Sequence, residues 1–290
     1  MTRQTRFRAD TNGQFPPELR GRDESGLLLH QLDALQRMAH DIGEPVFVSH
    51  QTAAALHFID GFPLTQPFHF TVPRGRNIVR IAHVVHTTTR LDAIDRESTK
   101  GFAVTSPTRT LIDLSGSTSV DQTQIALDGM LRDGLTTESF LHRRITDLRS
   151  KGRYGTPRLL EAIERSEAGR GCHSWLEREY QRIISDAGLP LPLSQQVTGR
   201  RGTTLIRVDF AFPGTPVVVE VLGYRWHRTT AQMNIDAARL NELVLAGKVP
   251  LQFTYQQVVS DPAGVLASTR RALEPFHPES VSPHRPTQRL

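Results

Sequence analysis

The stretch Ile206 to His227, IRVDFAFPGTPVVVEVLGYRWH, decides how the C-terminal part of this chain is read. From Leu205 to Phe212 the apolar residues alternate. Ile206, Val208, Phe210 and Phe212 share one face, and Arg207, Asp209 and Ala211 the other, which is the period of a half-buried strand. Val217 to Leu222 is a short β-branched run, the composition of a strand covered on both faces. Between them Pro213 to Pro216, PGTP, supplies the turn residues that close a hairpin. With a four-residue loop Phe212 pairs with Val217. Asp209 then falls across from Glu220 on the same face, Cβ atoms roughly 4.5–5.5 Å apart.

Two facing carboxylates repel, and burying either one unpaired costs several kcal/mol. Two partners could offset this. One is a hard divalent cation, Mg²⁺ or Mn²⁺, which takes one or two carboxylates and completes its shell with water and phosphate oxygens. The other is Arg207, two residues from Asp209 on the same face, as a structural ion pair. The sequence leaves both open.

Asp209, then Glu220-Val221-Leu222 after a turn, then Gly223 and His227, resemble the core of the PD-(D/E)XK nuclease superfamily. The likeness is to its group allied to very-short-patch-repair endonucleases, with the signature E-x-D-G-x-x-x-H. It covers about residues 172–274, including the helix before the hairpin and the one after it. It implies a restriction-endonuclease-like mixed sheet flanked by helices, with Asp209 and Glu220 as metal ligands. Glu177 would be a helix-borne acidic partner and His227 a proton carrier or phosphate contact. One position departs: Leu222 stands where the group carries Asp or Lys, on the same face as Glu220. An aliphatic side chain can neither position water nor hold a cation. Where relatives carry arginine, this chain has Gln252.

Composition bounds the rest. The chain of 290 residues has room for two domains. It is 38% hydrophobic and 22% charged, as a soluble globular protein is. No apolar run reaches the ~18 residues of a membrane span, and no signal peptide opens the chain, so the cytoplasm is expected. A single cysteine, Cys172, excludes a disulfide framework or a cysteine-rich zinc site. The net charge is +5 and the isoelectric point near 9.9, which points to nucleic acid as partner. The only lysines are Lys100, Lys151 and Lys248; the arginine bias suits phosphate contact, and a GC-rich genome produces it equally.

Residues 1–44 yield one helix, Leu27 to Ile42, ended by Gly43. The unit 45–140 contains VFVSHQTAAALHFIDGFPL, a strand and a helix capped by Ser49. FHFTVPRGR and VRIAHVVHTTTR then read as strands around a basic loop holding Arg74 and Arg76. A helix follows, begun by Ser106 with Pro107 at its first position. Thr105 to Leu114 matches T-S-P-x-R-T-L-x-D-L, and the unit resembles the central domain of AbiEi-like type IV antitoxins. That likeness implies DNA binding and a cognate toxin. Arg109 and Asp113, four apart, read as a structural pair. His50 and His57 share a helical face, and His83 and His86 point to opposite faces of a strand. All four read as core or surface histidines.

Between Arg143 and Arg170 stand eight Lys or Arg against four acidic residues, and 141–171 reads as a basic linker. Arg149, Lys151, Arg153 and Arg158 there could track a DNA backbone. Ser174 and Glu177 form a capping box, which gives Glu177 a structural role beside the catalytic one. Arg200 and Arg201 lie in a polar loop, Thr198 to Thr204, able to reach a phosphate. A helix follows Thr230, with Asp236 and Arg239 supporting each other, then a strand through Tyr255. The tail, 275–290, is Pro-rich and expected to be disordered. Two functions follow: a Mg²⁺-dependent DNA endonuclease, or a catalytically silent, antitoxin-type DNA-binding regulator.

Overall fold

A computed structural model describes residues 22–76, 78–80, 82–149, 155–170, 174–201, 204–223 and 230–276. The chain is a mixed α/β protein with two mixed sheets, and it divides into two compact units after Ser166. Among the described residues no helix is long and apolar enough to cross a membrane.

The first unit holds a five-stranded sheet in the order β3-β2-β1-β5-β4. Its strands are β1 (Phe47–Val48), β2 (His69–Pro73), β3 (Val84–Thr88), β4 (Arg96–Thr99) and β5 (Phe102–Thr105). Helix α1 (Leu29–Ile42) is no separate segment: Leu35 and Ile42 join Val48, Phe68, Phe70, Val72 and Val104 in one core. Its end is held by Arg76, whose guanidinium donates to the carbonyls of Ile42, Gly43 and Pro45. That arginine satisfies orphan carbonyls of the last helical turn. Strands β2 and β3 pair in parallel, His69 with Val84 through Pro73 with Thr88. Helix α2 (His50–Leu56) follows β1, and α3 (Pro107–Leu114) follows β5.

The signature Thr105 to Leu114 finds its use in a buried ionic network. The Arg109 guanidinium, 2% exposed, donates to Asp113 (2.8 Å), Asp95 (3.0 Å) and the Arg90 carbonyl (2.9 Å). Arg109 and Asp113 are thus the structural pair expected from their spacing. Asp95 closes a 3-10 turn, Ala93–Asp95, and its carbonyl accepts the Ser106 N–H at the start of α3. The motif locks turn to helix.

Of residues 141–171, expected to form a linker, 141–147 and 156–170 are helical. They hold most of α5 (Glu138–Asp147) and all of α6 (Thr156–Arg170), behind α4 (Val120–Arg132). Leu141, Ile145, Leu159, Leu160 and Ile163 are buried, so an apolar stripe runs among the arginines. Gly155 sits directly against the backbone of Gly116. A Cβ there would stand 2.4 Å from the Gly116 nitrogen and 2.8 Å from its Cα. Both are backbone atoms that cannot rotate away. Gly155→Ala is expected to cost about 1–3 kcal/mol, measurable as a lower denaturant midpoint at unchanged slope.

The second unit holds a four-stranded sheet in the order β6-β7-β8-β9, comprising β6 (Leu193–Arg201), β7 (Thr204–Ala211), β8 (Val217–Leu222) and β9 (Val249–Thr254). The first three are antiparallel, and β8 pairs with β9 in parallel. Helix α7 (Trp175–Asp186) precedes the sheet and α8 (Thr230–Leu245) crosses over from β8 to β9, with α9 (Tyr255–Ser260) and α10 (Pro262–Leu273) after it. Val208, Phe210 and Phe212 face inward as their alternation requires, and Tyr180 packs its ring 5.0 Å from Phe210 and 5.8 Å from Phe253. Two readings change. The loop expected at Thr198 to Thr204 is largely strand, Arg200 pairing Leu205 and Arg201 pairing Thr204. The strand expected through Tyr255 stops at Thr254, which caps α9 reciprocally with Gln257. The tail from residue 277 lies outside the described residues.

Candidate acidic centre

The hairpin forms in the expected register. Ala211 pairs with Val218 and Phe210 with Val219, and the Phe212 N–H donates to the Val217 carbonyl. The ladder ends before Asp209 and Glu220. There the Asp209 carboxylate accepts the Val221 N–H at 2.9 Å, doing with a side chain what the next ladder bond would have done. A half-buried acid satisfied by a backbone donor avoids the cost of an unmade hydrogen bond.

Glu220 is 6% exposed and flanked on β9 by Gln252, its partner in the parallel ladder. The Gln252 amide donates to Glu220 Oε2 at 3.0 Å. Arg239 of α8 brings Nη2 to 2.6 Å from Glu220 Oε1, an ion pair outside hydrogen-bond geometry, and also donates to the Arg207 carbonyl. Arg207 itself points into solvent. The arginine that neutralises the acids is therefore Arg239, brought by the crossover helix.

Glu177 completes the group. Its backbone N–H donates to the Ser174 hydroxyl, the expected cap, while its carboxylate accepts from Gln195 Nε2 at 3.3 Å. Burial pushes the Asp209 carboxyl up to about 6; Glu177 and Glu220 add to the rise, against the Val221 hydrogen bond and Arg239. Three carboxylates crowd one field. Their chemistry is that of a hard-cation site. Their arrangement is not: the two Glu220 oxygens face Arg239 and Gln252, and Asp209 is held by Val221. Among the described residues the group whose ligand atoms lie within 4.8 Å of one another is elsewhere, at His50, His69 and His86. The acids as placed do not fit Mg²⁺ or Mn²⁺.

His227 lies outside the described residues, as do Lys151 and Arg153. Leu222 ends β8 half-buried, paired with Thr254. Arg149 is exposed, and Arg158, also exposed, donates to the Gly116 carbonyl at 3.2 Å. Arg200 and Arg201 lie on β6, their side chains outside what is described. What the sequence did not reveal is that Arg239 and Gln252 meet at Glu220. A helix crossing between two parallel strands must pass over the sheet, and that was the signal for Arg239.

The chain is 28% identical over 224 residues to uncharacterized protein MT2308 of Mycobacterium tuberculosis strain CDC 1551, covering 77% of this chain and 79% of that one. The match to uncharacterized protein Rv2248 of strain H37Rv has the same identity and coverage. No protein-family profile matches the chain, and no solved structure does.

Proposed function

We propose that this protein is a cytoplasmic, DNA-binding regulator of the antitoxin type, whose C-terminal unit keeps a nuclease-like sheet without its chemistry. The observation that carries this reading is the Glu220 carboxylate, engaged by Arg239 on one oxygen and Gln252 on the other. A guanidinium there takes the part a cation would play, and Leu222 offers no polar group beside it. The mixed sheet, with a helix before the hairpin and one after it, supports the likeness to the PD-(D/E)XK core. The net charge of +5 and the arginine bias support DNA as the partner. A cognate toxin would be the protein partner implied by the N-terminal likeness.

One observation favours a second reading, a Mg²⁺-dependent endonuclease. Asp209, its carboxyl raised to about 6 by burial and further by Glu177 and Glu220, is crowded as a metal-relieved acid would be. In that reading Arg239 would have to leave Glu220.

DNA binding is tested by gel mobility shift on duplexes of unrelated sequence. Retardation is expected for all of them, with affinity falling about 100-fold between about 50 and about 200 mM salt if about four phosphates are contacted. Absence of retardation at any salt would overturn the reading.

A further inference from the structure

We propose that His50, His69 and His86 bind a transition-metal ion of the Zn²⁺ class on the polar face of the first sheet. The three come from separate elements: His50 opens α2, His69 opens β2 and His86 sits in β3. His86 is the ladder partner of Thr71, two residues from His69, so the two imidazoles share a face as diagonal neighbours. Their ligand atoms, with that of His50, all lie within 4.8 Å of one another.

The closest pair is already spaced for a common ion. His69 Nδ1 and His86 Nε2 are 3.1 Å apart. Two nitrogens on one zinc at ~2.0–2.1 Å stand ~3.3 Å apart in a tetrahedron. Without metal, one of the two carries a proton and donates it to the other; an ion would take that proton's place. His50 lies flat on His86, ring centroids 3.6 Å apart at 13°, and must tilt out of this stack to ligate.

The surroundings are built to hold His50. Its Nδ1 lies 3.0 Å from Ser49 Oγ, which accepts the Thr71 hydroxyl at 2.8 Å. Ser49 occupies the N-cap position of α2, yet its hydroxyl makes no cap hydrogen bond and serves this chain instead. A ring nitrogen held by a hydroxyl in this way is the second-shell arrangement that orients metal-binding imidazoles. The backbone of His50 has φ 49°, the left-handed region that a non-glycine residue enters only where its surroundings enforce it.

Protonation suits the role. Burial lowers the His69 imidazole, and burial together with the neighbouring His69 pushes His86 down to about 4. The neutral imidazole is the form that ligates. Imidazole donors select Zn²⁺, Cu²⁺ or Ni²⁺ over Mg²⁺ or Ca²⁺. Three protein ligands leave a fourth position open, as in catalytic rather than structural zinc sites, and His69 and His86 are half-exposed to water.

The test uses the full chain without a histidine tag, stripped with chelator. Uptake of one Zn²⁺ per chain is expected. The cobalt-loaded protein should show tetrahedral ligand-field bands without the thiolate-to-cobalt absorption that Cys172 would bring. His69→Gln and His86→Gln should each weaken Zn²⁺ binding by about 100-fold or more, while His30→Gln, exposed on α1, leaves it unchanged. No stoichiometric uptake by the folded chain, or uptake that survives both substitutions, would overturn the site. Should the variants fail to fold, the wild-type cobalt spectrum decides: nitrogen-only tetrahedral bands support the site, and six-coordinate or thiolate-bound cobalt sinks it.

Discussion

Asp95→Ala is expected to destabilise the N-terminal unit by about 3–5 kcal/mol, because it removes the carboxylate shared by two buried guanidinium groups. Asp95 is 1% exposed, Arg109 2% and Arg144 5%. Arg144 donates to both Asp95 oxygens at 2.8 and 2.6 Å, and Arg109 to one at 3.0 Å. Asp92, held well below the usual carboxylate range by Arg90 and Arg144, remains for Arg144, and Asp113 for Arg109. For a unit of this size the loss corresponds to about 10 °C in melting temperature. Calorimetry on the full chain reads it directly, and a second substitution, Arg109→Met, should return part of the loss by removing one stranded charge. A melting temperature unchanged in Asp95→Ala would mean the network contributes nothing.

The second large effect concerns Asp209 and pH. Its folded carboxyl holds a proton up to about 6, whereas an unfolded aspartate releases it near 3.8. Between those values the native state binds more protons than the unfolded chain. Stability of the C-terminal unit therefore falls as pH rises through this window, with no penalty below it and the full penalty above it. Two pH units correspond to about 3 kcal/mol. Asp209→Asn keeps an oxygen for the Val221 N–H and removes the charge. It should stabilise the protein by about 1–3 kcal/mol at pH 8 and change little at pH 4. Urea denaturation at the two pH values checks this; a variant less stable than the parent at pH 8 would contradict it.

Much of the fold was legible because its cores follow simple periods. The alternation from Ile206 to Phe212 and the β-branched run Val217 to Leu222 fixed the hairpin, its inward face and its register as far as Phe210 and Val219. Pro107 after Ser106 marked the start of a helix for a local reason, a missing donor where none is needed. What escaped was non-local. Nothing in the pattern says that β2 and β3 run parallel, so His86 was not seen beside His69. Nothing local says that α8 carries Arg239 over the sheet to Glu220. The basic stretch 141–171 hid its apolar stripe under its charge. The acidic centre was half read: Glu177, Asp209 and Glu220 do share one field, but the partner that settles their charge came from outside the motif.

Neutralisation of Glu220 by Arg239 is tested most directly by incubating the full chain with supercoiled plasmid in Mg²⁺ or Mn²⁺. The plasmid is expected to be bound and to stay supercoiled, with parent and Glu220→Ala behaving alike. Nicked or linear DNA from the parent, lost in Glu220→Ala, would contradict it.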